Sequence, residues 1–380
     1  MPYATKARVV ALTAGCALLA GCAAGAAPAE EEPTPHGYVE GAEETAEAQW
    51  RLVAAEAGTG AVHLLDPVTE EAVEIAEVEG AQAIGTDGRF VYVAGASTTQ
   101  VLDSGVWTVD HGDHVHYYKS APRTVGEIDG SGFAPLGDPA VTVLNSAHGV
   151  AALDRESLED GEIAAAAEVD AEAAVPYSQR LLAVTGGTVQ VLGRDGAVES
   201  ELAETCREPQ AQTVTRRGAV FACADGALLV SGDDDLTAEP IPYPGSAVEG
   251  GFHHRPGTAV LAARAQDGGV LVLDLKERAW IAIAVEDPVA VSATGEDSPV
   301  LVLTADGVLR SFDPVTGAAL AQVELMADAA GATIQVDTAR AYVSDPAGTA
   351  IHEIDYRDDL RLARTFDLDF RPDHMVETGW

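Results

Sequence analysis

The chain has 380 residues and a large excess of acidic side chains, with 61 Asp and Glu against 22 Lys and Arg and a formal net charge of −39. This balance argues against nucleic-acid binding, which depends on basic side chains that neutralise phosphates. It also gives no basic patch to hold anionic lipid. An acidic surface either concentrates divalent cations or serves solubility in salt, and composition alone favours neither explanation.

The N-terminus has the pattern of an export signal. Lys6 and Arg8 precede an apolar stretch, residues 9–20, that is too short to span a bilayer. The stretch ends in Leu-Ala-Gly-Cys at 19–22, which resembles the lipobox of bacterial lipoproteins. The resemblance implies a lipoprotein signal peptide over residues 1–21 and a lipid on Cys22 that holds the protein at the outer face of the cell membrane. A secretory peptide cut at a small residue is the alternative.

The segment after the lipobox is predicted to be unfolded. Residues 22–49 are rich in Ala, Glu and Pro and show no sustained apolar periodicity. Such a composition buries too little apolar surface to offset the entropy of folding. We therefore predict that the lipidated Cys22 begins a disordered acidic tether, which ends at residue 49.

Residues 50–380 are predicted to be all-β and to be built from a repeated unit. Segments 60–78 and 307–325, GAVHLLDPVTEEAVEIAEV and GVLRSFDPVTGAALAQVEL, share one plan. An apolar strand ends at an Asp, a turn follows, and a second strand returns. An Asp at this position accepts hydrogen bonds from the amides of the turn. Eight residues occupy this position and serve as hairpin markers: Asp66, Asp103, Asp154, Gly193, Gly232, Asp274, Asp313 and Asp355.

The spacing of these markers indicates a β-propeller. Successive markers are 37 to 51 residues apart, and a period near 40 with about four strands per unit is typical of that fold. Eight markers predict eight blades, or seven if one marker is a false match. Residues 374–380 are predicted to supply the missing innermost strand of the first blade. That strand would close the ring and remove exposed sheet edges.

The longest interval between markers holds an insertion with a cluster of histidines. Imidazole is the commonest metal ligand among side chains, and with an oxygen neighbour it suits zinc. His114 and His116 share a face if they lie on a strand, and Gly112 and Asp113 favour a bend that returns His111 towards them. We predict the three histidines as metal ligands, with Asp113 as the fourth ligand or as acceptor for an imidazole N–H. A solvated polar loop is the alternative.

The four cysteines predict one disulfide. Cys16 leaves with the signal peptide and Cys22 carries the lipid, so Cys206 and Cys223 remain in an oxidising, exported setting. We predict that these two residues pair. Two buried free thiols are the alternative.

Two segments and the repeat together resemble AztD-type zinc metallochaperones, which are exported β-propeller proteins encoded with zinc ABC transporters. The segments are GVWTVDHGDHVHYY (105–118) and FACADGAL (221–228), and the resemblance covers most of residues 50–380. It implies that the chain binds Zn²⁺ as cargo and passes it to the solute-binding protein of the transporter.

The chain departs from that family at two elements. The family carries an HHGVAV element where residues 170–176 read DAEAAVP, and a CPxLHGEA element where residues 206–212 read CREPQAQ. Two histidines that the family places near the central channel are therefore absent. His253, His254 and His374 lie near the starts of inner strands, and they are the substitute metal ligands that this sequence offers.

The sequence thus predicts an extracytoplasmic zinc carrier rather than an enzyme. Three imidazoles leave a fourth position on tetrahedral zinc, where an incoming ligand binds without prior dissociation. Imidazole binds metal in its neutral form, so affinity is expected to fall below about pH 6.5. Two alternatives are a metal-free propeller lipoprotein that docks to a transporter component, and a metal-dependent hydrolase in which the ion activates water. Against the hydrolase, the sequence shows no clear set of nucleophile and base residues.

Overall fold

Residues 39–380, which a computed structural model describes, fold into β-strands apart from one short helix, α1 (Arg155–Asp160). The predicted signal peptide, Cys16, Cys22 and the first part of the predicted tether lie outside the described residues. Within residues 39–380, no helix has the length and apolar character needed to cross a membrane.

Eight antiparallel sheets of four strands contain most of the strands, which are numbered in chain order. The first two sheets, in their spatial order, are β35 (His374–Thr378), β2 (Arg51–Ala55), β3 (Ala61–Asp66) and β4 (Glu71–Glu77); then β5 (Ala83–Thr86), β6 (Phe90–Ala94), β7 (Thr98–Asp103) and β10 (Arg123–Asp129). The next two are β11 (Ala134–Gly137), β12 (Val141–Ser146), β13 (Gly149–Asp154) and β14 (Ala165–Val169); then β15 (Ala173–Tyr177), β16 (Arg180–Thr185), β17 (Thr188–Leu192) and β18 (Val198–Thr205).

The other four sheets follow the chain in the same way. The fifth and sixth are β19 (Ala211–Thr215), β20 (Gly218–Cys223), β21 (Gly226–Ser231) and β22 (Thr237–Pro242); then β23 (Val248–His253), β24 (Val260–Ala265), β25 (Val270–Asp274) and β26 (Ala279–Ile283). The seventh and eighth are β27 (Pro288–Ala293), β28 (Val300–Thr304), β29 (Val308–Phe312) and β30 (Ala319–Glu324); then β31 (Ile334–Val336), β32 (Ala341–Asp345), β33 (Ala350–Asp355) and β34 (Arg361–Asp367).

The sheets pack face to face, and this explains the apolar runs in the sequence. Second strands such as β6 (FVYVA) and β28 (VLVLT) are buried along their whole length, whereas the fourth strand β4 is largely exposed. A strand covered on both faces needs apolar residues at every position rather than in alternation. Between the third and fourth sheets, for example, Val143 packs with Ala174 and Leu181.

The first strands of the sheets lie against one another in chain order, from β5 through β11, β15, β19, β23 and β27 to β31, and β35 contacts both β5 and β31. This repetition of four-stranded antiparallel sheets is consistent with a β-propeller, as the period of the sequence predicts.

The segment near the C-terminus joins the first sheet, as predicted. Strand β35 pairs antiparallel with β2, with His374 opposite Ala55 and Thr378 opposite Arg51. The first sheet is therefore assembled from residues more than 300 positions apart in the sequence.

The predicted hairpin markers are confirmed at most of the turns they were assigned to. The carboxylate of Asp313 accepts hydrogen bonds from the amides of Val315 and Thr316, at 3.0 and 2.7 Å. Asp154 differs, because its carboxylate accepts from the Ser157 amide at 2.8 Å and so caps the N-terminus of α1. A six-residue helix therefore precedes the fourth strand of this sheet.

The predicted disulfide between Cys206 and Cys223 is present, with an S–S distance of 1.99 Å. Both residues are buried. Cys206 lies in the link from β18 to β19 and Cys223 ends β20, so the bond ties the entry of the fifth sheet to its second strand.

The predicted tether extends too far along the chain. Residues 43–45 form a strand, β1 (Glu43–Thr45), which pairs antiparallel with β9 (Val115–Lys119) of the insertion. The prediction of disorder up to residue 49 is therefore wrong for this strand. Backbone hydrogen bonds to a neighbouring edge order three residues that have no apolar pattern of their own.

Candidate metal centre

The insertion predicted in the longest interval between markers is a β-hairpin. Strands β8 (Val106–Asp110) and β9 interrupt the second sheet between β7 and β10, and β1 adds a third strand in the order β1-β9-β8. The histidine cluster lies at the tip of this hairpin. A small separate sheet therefore carries the candidate ligands.

One buried carboxylate holds the base of the insertion. Asp103 receives two hydrogen bonds from the Arg89 guanidinium, at 3.2 and 3.0 Å, and its side chain is only 2% exposed. It also accepts from the Gly105 amide at 3.0 Å, where the insertion begins, and from Arg123 at 3.4 Å, where β10 resumes. The guanidinium carbon of Arg89 lies 3.8 Å from the ring centre of Trp107 on β8, a cation–π contact.

The insertion also contacts the first sheet. Lys119 lies 3.3 Å from Asp66, and the Thr108 hydroxyl donates to the carbonyl of Gly379 at 2.7 Å. The hairpin is thus fixed from two sides.

A four-residue turn brings the histidines together. The Asp110 carboxylate accepts from the Gly112 amide at 2.7 Å, and the His111 amide donates to the carbonyl of His114 at 3.0 Å. Gly112 adopts a φ of 87°, a left-handed conformation that glycine takes at little cost. The turn returns His111 towards the other histidines, as predicted. His114 belongs to this turn, and only His116 lies on β9.

His111, His114 and His116 are the only described residues that form a group of three candidate metal ligands. One ligand atom from each lies within 4.8 Å of the others. His111 and His114 are exposed, whereas His116 is 8% exposed. Three nitrogens bound to one tetrahedral zinc lie about 3.4 Å apart. Zinc binding would therefore draw together ligand atoms that already lie within 4.8 Å of one another.

Two carboxylates orient the imidazoles. His114 Nδ1–H donates to Asp113 at 2.7 Å, and His116 Nδ1–H donates to Glu44 on β1 at 2.7 Å. An imidazole that donates from Nδ1 presents Nε2 as its metal ligand. Asp113 therefore takes the second of its two predicted roles. Glu44 was missed, because it lies in an acidic segment in which nothing distinguishes it from its neighbours.

Tyr118 belongs to the packing beneath the site. Its ring is buried and lies 5.1 Å from that of Trp107 and 6.1 Å from that of His116. Burial raises the pKa of the Tyr118 phenol, and the nearby Glu44 carboxylate adds to this shift. The phenol therefore stays protonated at neutral pH, and its ring packs between those of Trp107 and His116.

The other predicted histidines lie elsewhere. His253 and His374 line a cavity of about 670 Å³ bordered by the first strands of seven sheets. The cavity leaves His253 accessible, but the surrounding protein and Arg264 lower the pKa of its imidazole. Burial also lowers the pKa of His374. The structure does not bring these residues into a group of three ligands within the part of the chain that it describes.

His254 is engaged at both ring nitrogens. Nδ1–H donates to the carbonyl of Arg255 at 2.9 Å, and the Thr213 hydroxyl donates to Nε2 at 3.0 Å. Burial lowers the pKa of the His254 imidazole to about 4. A neutral ring with both nitrogens satisfied has a structural role, so the prediction of His254 as a substitute ligand is not supported by its contacts.

Acid is expected to destabilise the protein through His254. The folded state keeps this ring neutral down to about pH 4, whereas the unfolded chain protonates it near pH 6.5. The free energy of unfolding should therefore be fully retained above pH 6.5 and fall between pH 6.5 and 4, with a contribution on the order of 3 kcal/mol from this residue. Urea unfolding of wild type and His254→Gln across this range measures it. An equally steep loss in the variant contradicts the assignment, and His148→Gln, at an exposed histidine, is the control.

Comparison with known proteins gives matches at the level of structure alone. No protein-family model and no curated protein matches the chain. Among solved structures, AztD from Citrobacter koseri superposes with a TM-score of 0.72 and 17% sequence identity, covering 87% of this chain and 98% of that one. Apo AztD from the same organism gives 0.73 and 16% over the same shares of both chains. The dihydro-heme d1 dehydrogenase NirN in complex with DHE gives 0.57 and 16%, covering 87% of this chain and 75% of that one.

The fold and the site together define an all-β protein of repeated four-stranded antiparallel sheets, consistent with a β-propeller, with a histidine cluster on an inserted hairpin. The resemblance to AztD that the sequence predicts is confirmed in the fold, over nearly the whole length of AztD. At 16–17% identity the relationship is distant.

Proposed function

We propose that this protein is an extracytoplasmic zinc carrier that binds Zn²⁺ through His111, His114 and His116 and passes it to the solute-binding protein of a zinc ABC transporter. The observation that carries the proposal is the convergence of three imidazole ligand atoms within 4.8 Å of one another. The fold shared with AztD supports the same function.

The chemistry of the site suits a carrier. Nδ1 of His114 and of His116 is held by a carboxylate, so Nε2 is the atom of each ring that would bind the ion. Three nitrogens hold zinc and leave one coordination position for a ligand from another protein. Because His111 and His114 are exposed at a hairpin tip, a partner reaches the ion directly. This exposure favours exchange between proteins over catalysis, which benefits from a site closed to water.

The acidic surface assists loading. Asp110, Asp113 and Glu44 lie in or beside the cluster, and the whole chain has a formal net charge of −39. A negative field raises the local concentration of divalent cations and speeds their capture.

We infer that the eight four-stranded sheets are the eight blades of a closed propeller. The contacts between successive first strands and the position of β35, which contacts both β5 and β31, support this closure. On this interpretation the cavity that His253 and His374 line is the central channel.

We also propose that lipidated Cys22 anchors the protein to the outer face of the cell membrane. The proposal rests on the lipobox resemblance at residues 19–22. A carrier anchored in this way shares the membrane surface with the transporter that it serves, which raises their effective concentration.

Metal analysis and a transfer assay test the function. The mature protein is loaded with zinc and mixed with the solute-binding protein encoded nearest to it, and the two are separated by chromatography. We expect one zinc per chain and movement of zinc to the partner even when a competing chelator removes free zinc. Failure to bind zinc, or transfer that the chelator abolishes, overturns the proposal.

A further inference from the structure

We propose that strand β1 is a latch on the metal centre: its docking onto β9 places Glu44 on His116, so β1 docking and zinc binding favour one another. The inference rests on the proposed zinc-carrier function and concerns how that site is held and released.

The first argument is the position of Glu44. Its Oε1 lies 2.7 Å from His116 Nδ1, although the two residues are 72 positions apart in the sequence. The carboxylate on His114, in contrast, comes from the adjacent Asp113. The hairpin therefore orients one imidazole from within, and a separate strand orients the other.

The register of β1 explains how Glu44 reaches the ring. Glu44 lies opposite Tyr118 on β9, and His116 is two residues before Tyr118 on the same face of that strand. A diagonal neighbour on an adjacent strand is within reach of a long side chain. A shift of β1 by one residue would turn Glu44 to the opposite face.

The second argument is that β1 is a weakly held edge strand. It has three residues, it pairs with β9 alone among the described strands, and Glu43 and Glu44 are exposed. The Thr45 hydroxyl adds little to the pairing, because it lies 3.3 Å from the carbonyl oxygen of Tyr117 and closer, at 2.8 Å, to that of Glu47 on its own segment. Edge segments with few buried apolar contacts open at low free-energy cost.

These two features couple the strand to the ion. Docked β1 keeps the His116 ring in the tautomer and orientation that present Nε2, and loss of such an orienting partner typically weakens metal binding about 10–100-fold. Thermodynamic linkage makes this effect reciprocal, so bound zinc stabilises the docked state of β1 by the same factor. Undocking of β1 then lowers affinity at the moment of transfer, which answers the need of a carrier to bind tightly and release quickly.

Substitution of Glu44 in the full mature chain tests the latch. We expect Glu44→Ala to raise the zinc dissociation constant about 10–100-fold in a chelator competition, and Glu44→Gln, which keeps an oxygen acceptor, to raise it less. Glu43→Ala is the matched control, because it removes a neighbouring carboxylate from the opposite face of the strand. This control should bind zinc as wild type does.

Two further measurements separate positioning from a general loss of structure. Long-range ¹H–¹⁵N spectra of the metal-free protein should show the Nδ1–H tautomer of His116 in wild type and in Glu43→Ala, and a shift towards the Nε2–H tautomer in Glu44→Ala. Added zinc should slow hydrogen exchange of the β1 amides in wild type and have less effect in Glu44→Ala.

The outcomes distinguish the latch from the carrier function. If wild type binds zinc and Glu44→Ala binds it equally well, the latch is rejected and the carrier stands. If Glu43→Ala weakens zinc binding as much as Glu44→Ala, the loss of a negative charge near the site explains the effect, and the latch is also rejected. If wild type binds no zinc, the carrier function fails, and with it the coupling of β1 to the ion.

Discussion

Replacement of His111, His114 and His116 together by alanine is expected to remove most of the zinc binding and to leave the fold intact. The three rings supply the only group of three converging ligand atoms among residues 39–380. Two of them are exposed at a hairpin tip, where substitutions usually change stability by less than about 0.5 kcal/mol. The base of the hairpin is held by Asp103 and Arg89, which the variant retains. A competition titration with a chromogenic chelator measures the loss, and circular dichroism verifies the fold.

A matched variant in the other candidate location makes this result specific. His253→Ala with His374→Ala removes two of the histidines that the sequence offers as substitute ligands, both of which line the cavity of about 670 Å³. We expect this double variant to bind zinc with wild-type stoichiometry and affinity. Undiminished binding in the triple variant, or loss of binding in the double variant, would move the metal centre from the hairpin to this cavity.

The second large effect is expected at Asp103, where alanine should destabilise the protein by about 3–5 kcal/mol. The substitution leaves the guanidinium of Arg89, whose side chain is 8% exposed, without its bidentate partner. It also removes the acceptor for Gly105 and Arg123 at the two ends of the insertion. Because the insertion carries the histidines, zinc affinity should fall together with stability.

Asp313→Ala is the control for Asp103. Asp313 occupies the same place in its own repeat, at the end of a third strand, and its carboxylate accepts hydrogen bonds from turn amides near the surface. Because water replaces such bonds at an exposed turn, their loss should lower the free energy of unfolding much less than the change at Asp103. Urea unfolding of both variants gives the comparison. Equal losses in the free energy of unfolding would show that Asp103 acts only as a turn residue. Unchanged zinc affinity in Asp103→Ala would show that the base of the insertion does not influence the histidines at its tip.

The repeat and the insertion were predictable because each leaves a periodic or local signal in the sequence. Aspartates at strand ends recur at nearly constant spacing, since each accepts hydrogen bonds from the turn that follows it. The interval from Asp103 to Asp154 is longer than the others, and the structure places a hairpin there. The turn at Gly112 follows equally from local chemistry.

The contacts that complete the site were not predictable, because they join distant segments. Glu44 reaches His116 across 72 residues, and nothing in the acidic run around it marks one glutamate as different. His254 looks like a ligand in the sequence, yet a carbonyl and a hydroxyl occupy its nitrogens in the fold. The helix α1 is too short to give a periodic pattern, and the Asp154 that caps it resembles the hairpin aspartates.

The union of β35 with β2 has a consequence for biogenesis. Residues 51–55 complete their sheet only when residues 374–378 become available, so the first sheet waits until the last strand of the chain has been made. Contacts between such distant segments form late and slowly, because a long loop must close first. Until then β2 presents an open edge to solvent, and a chaperone or the growing neighbour sheet must shield it from other chains while the protein folds.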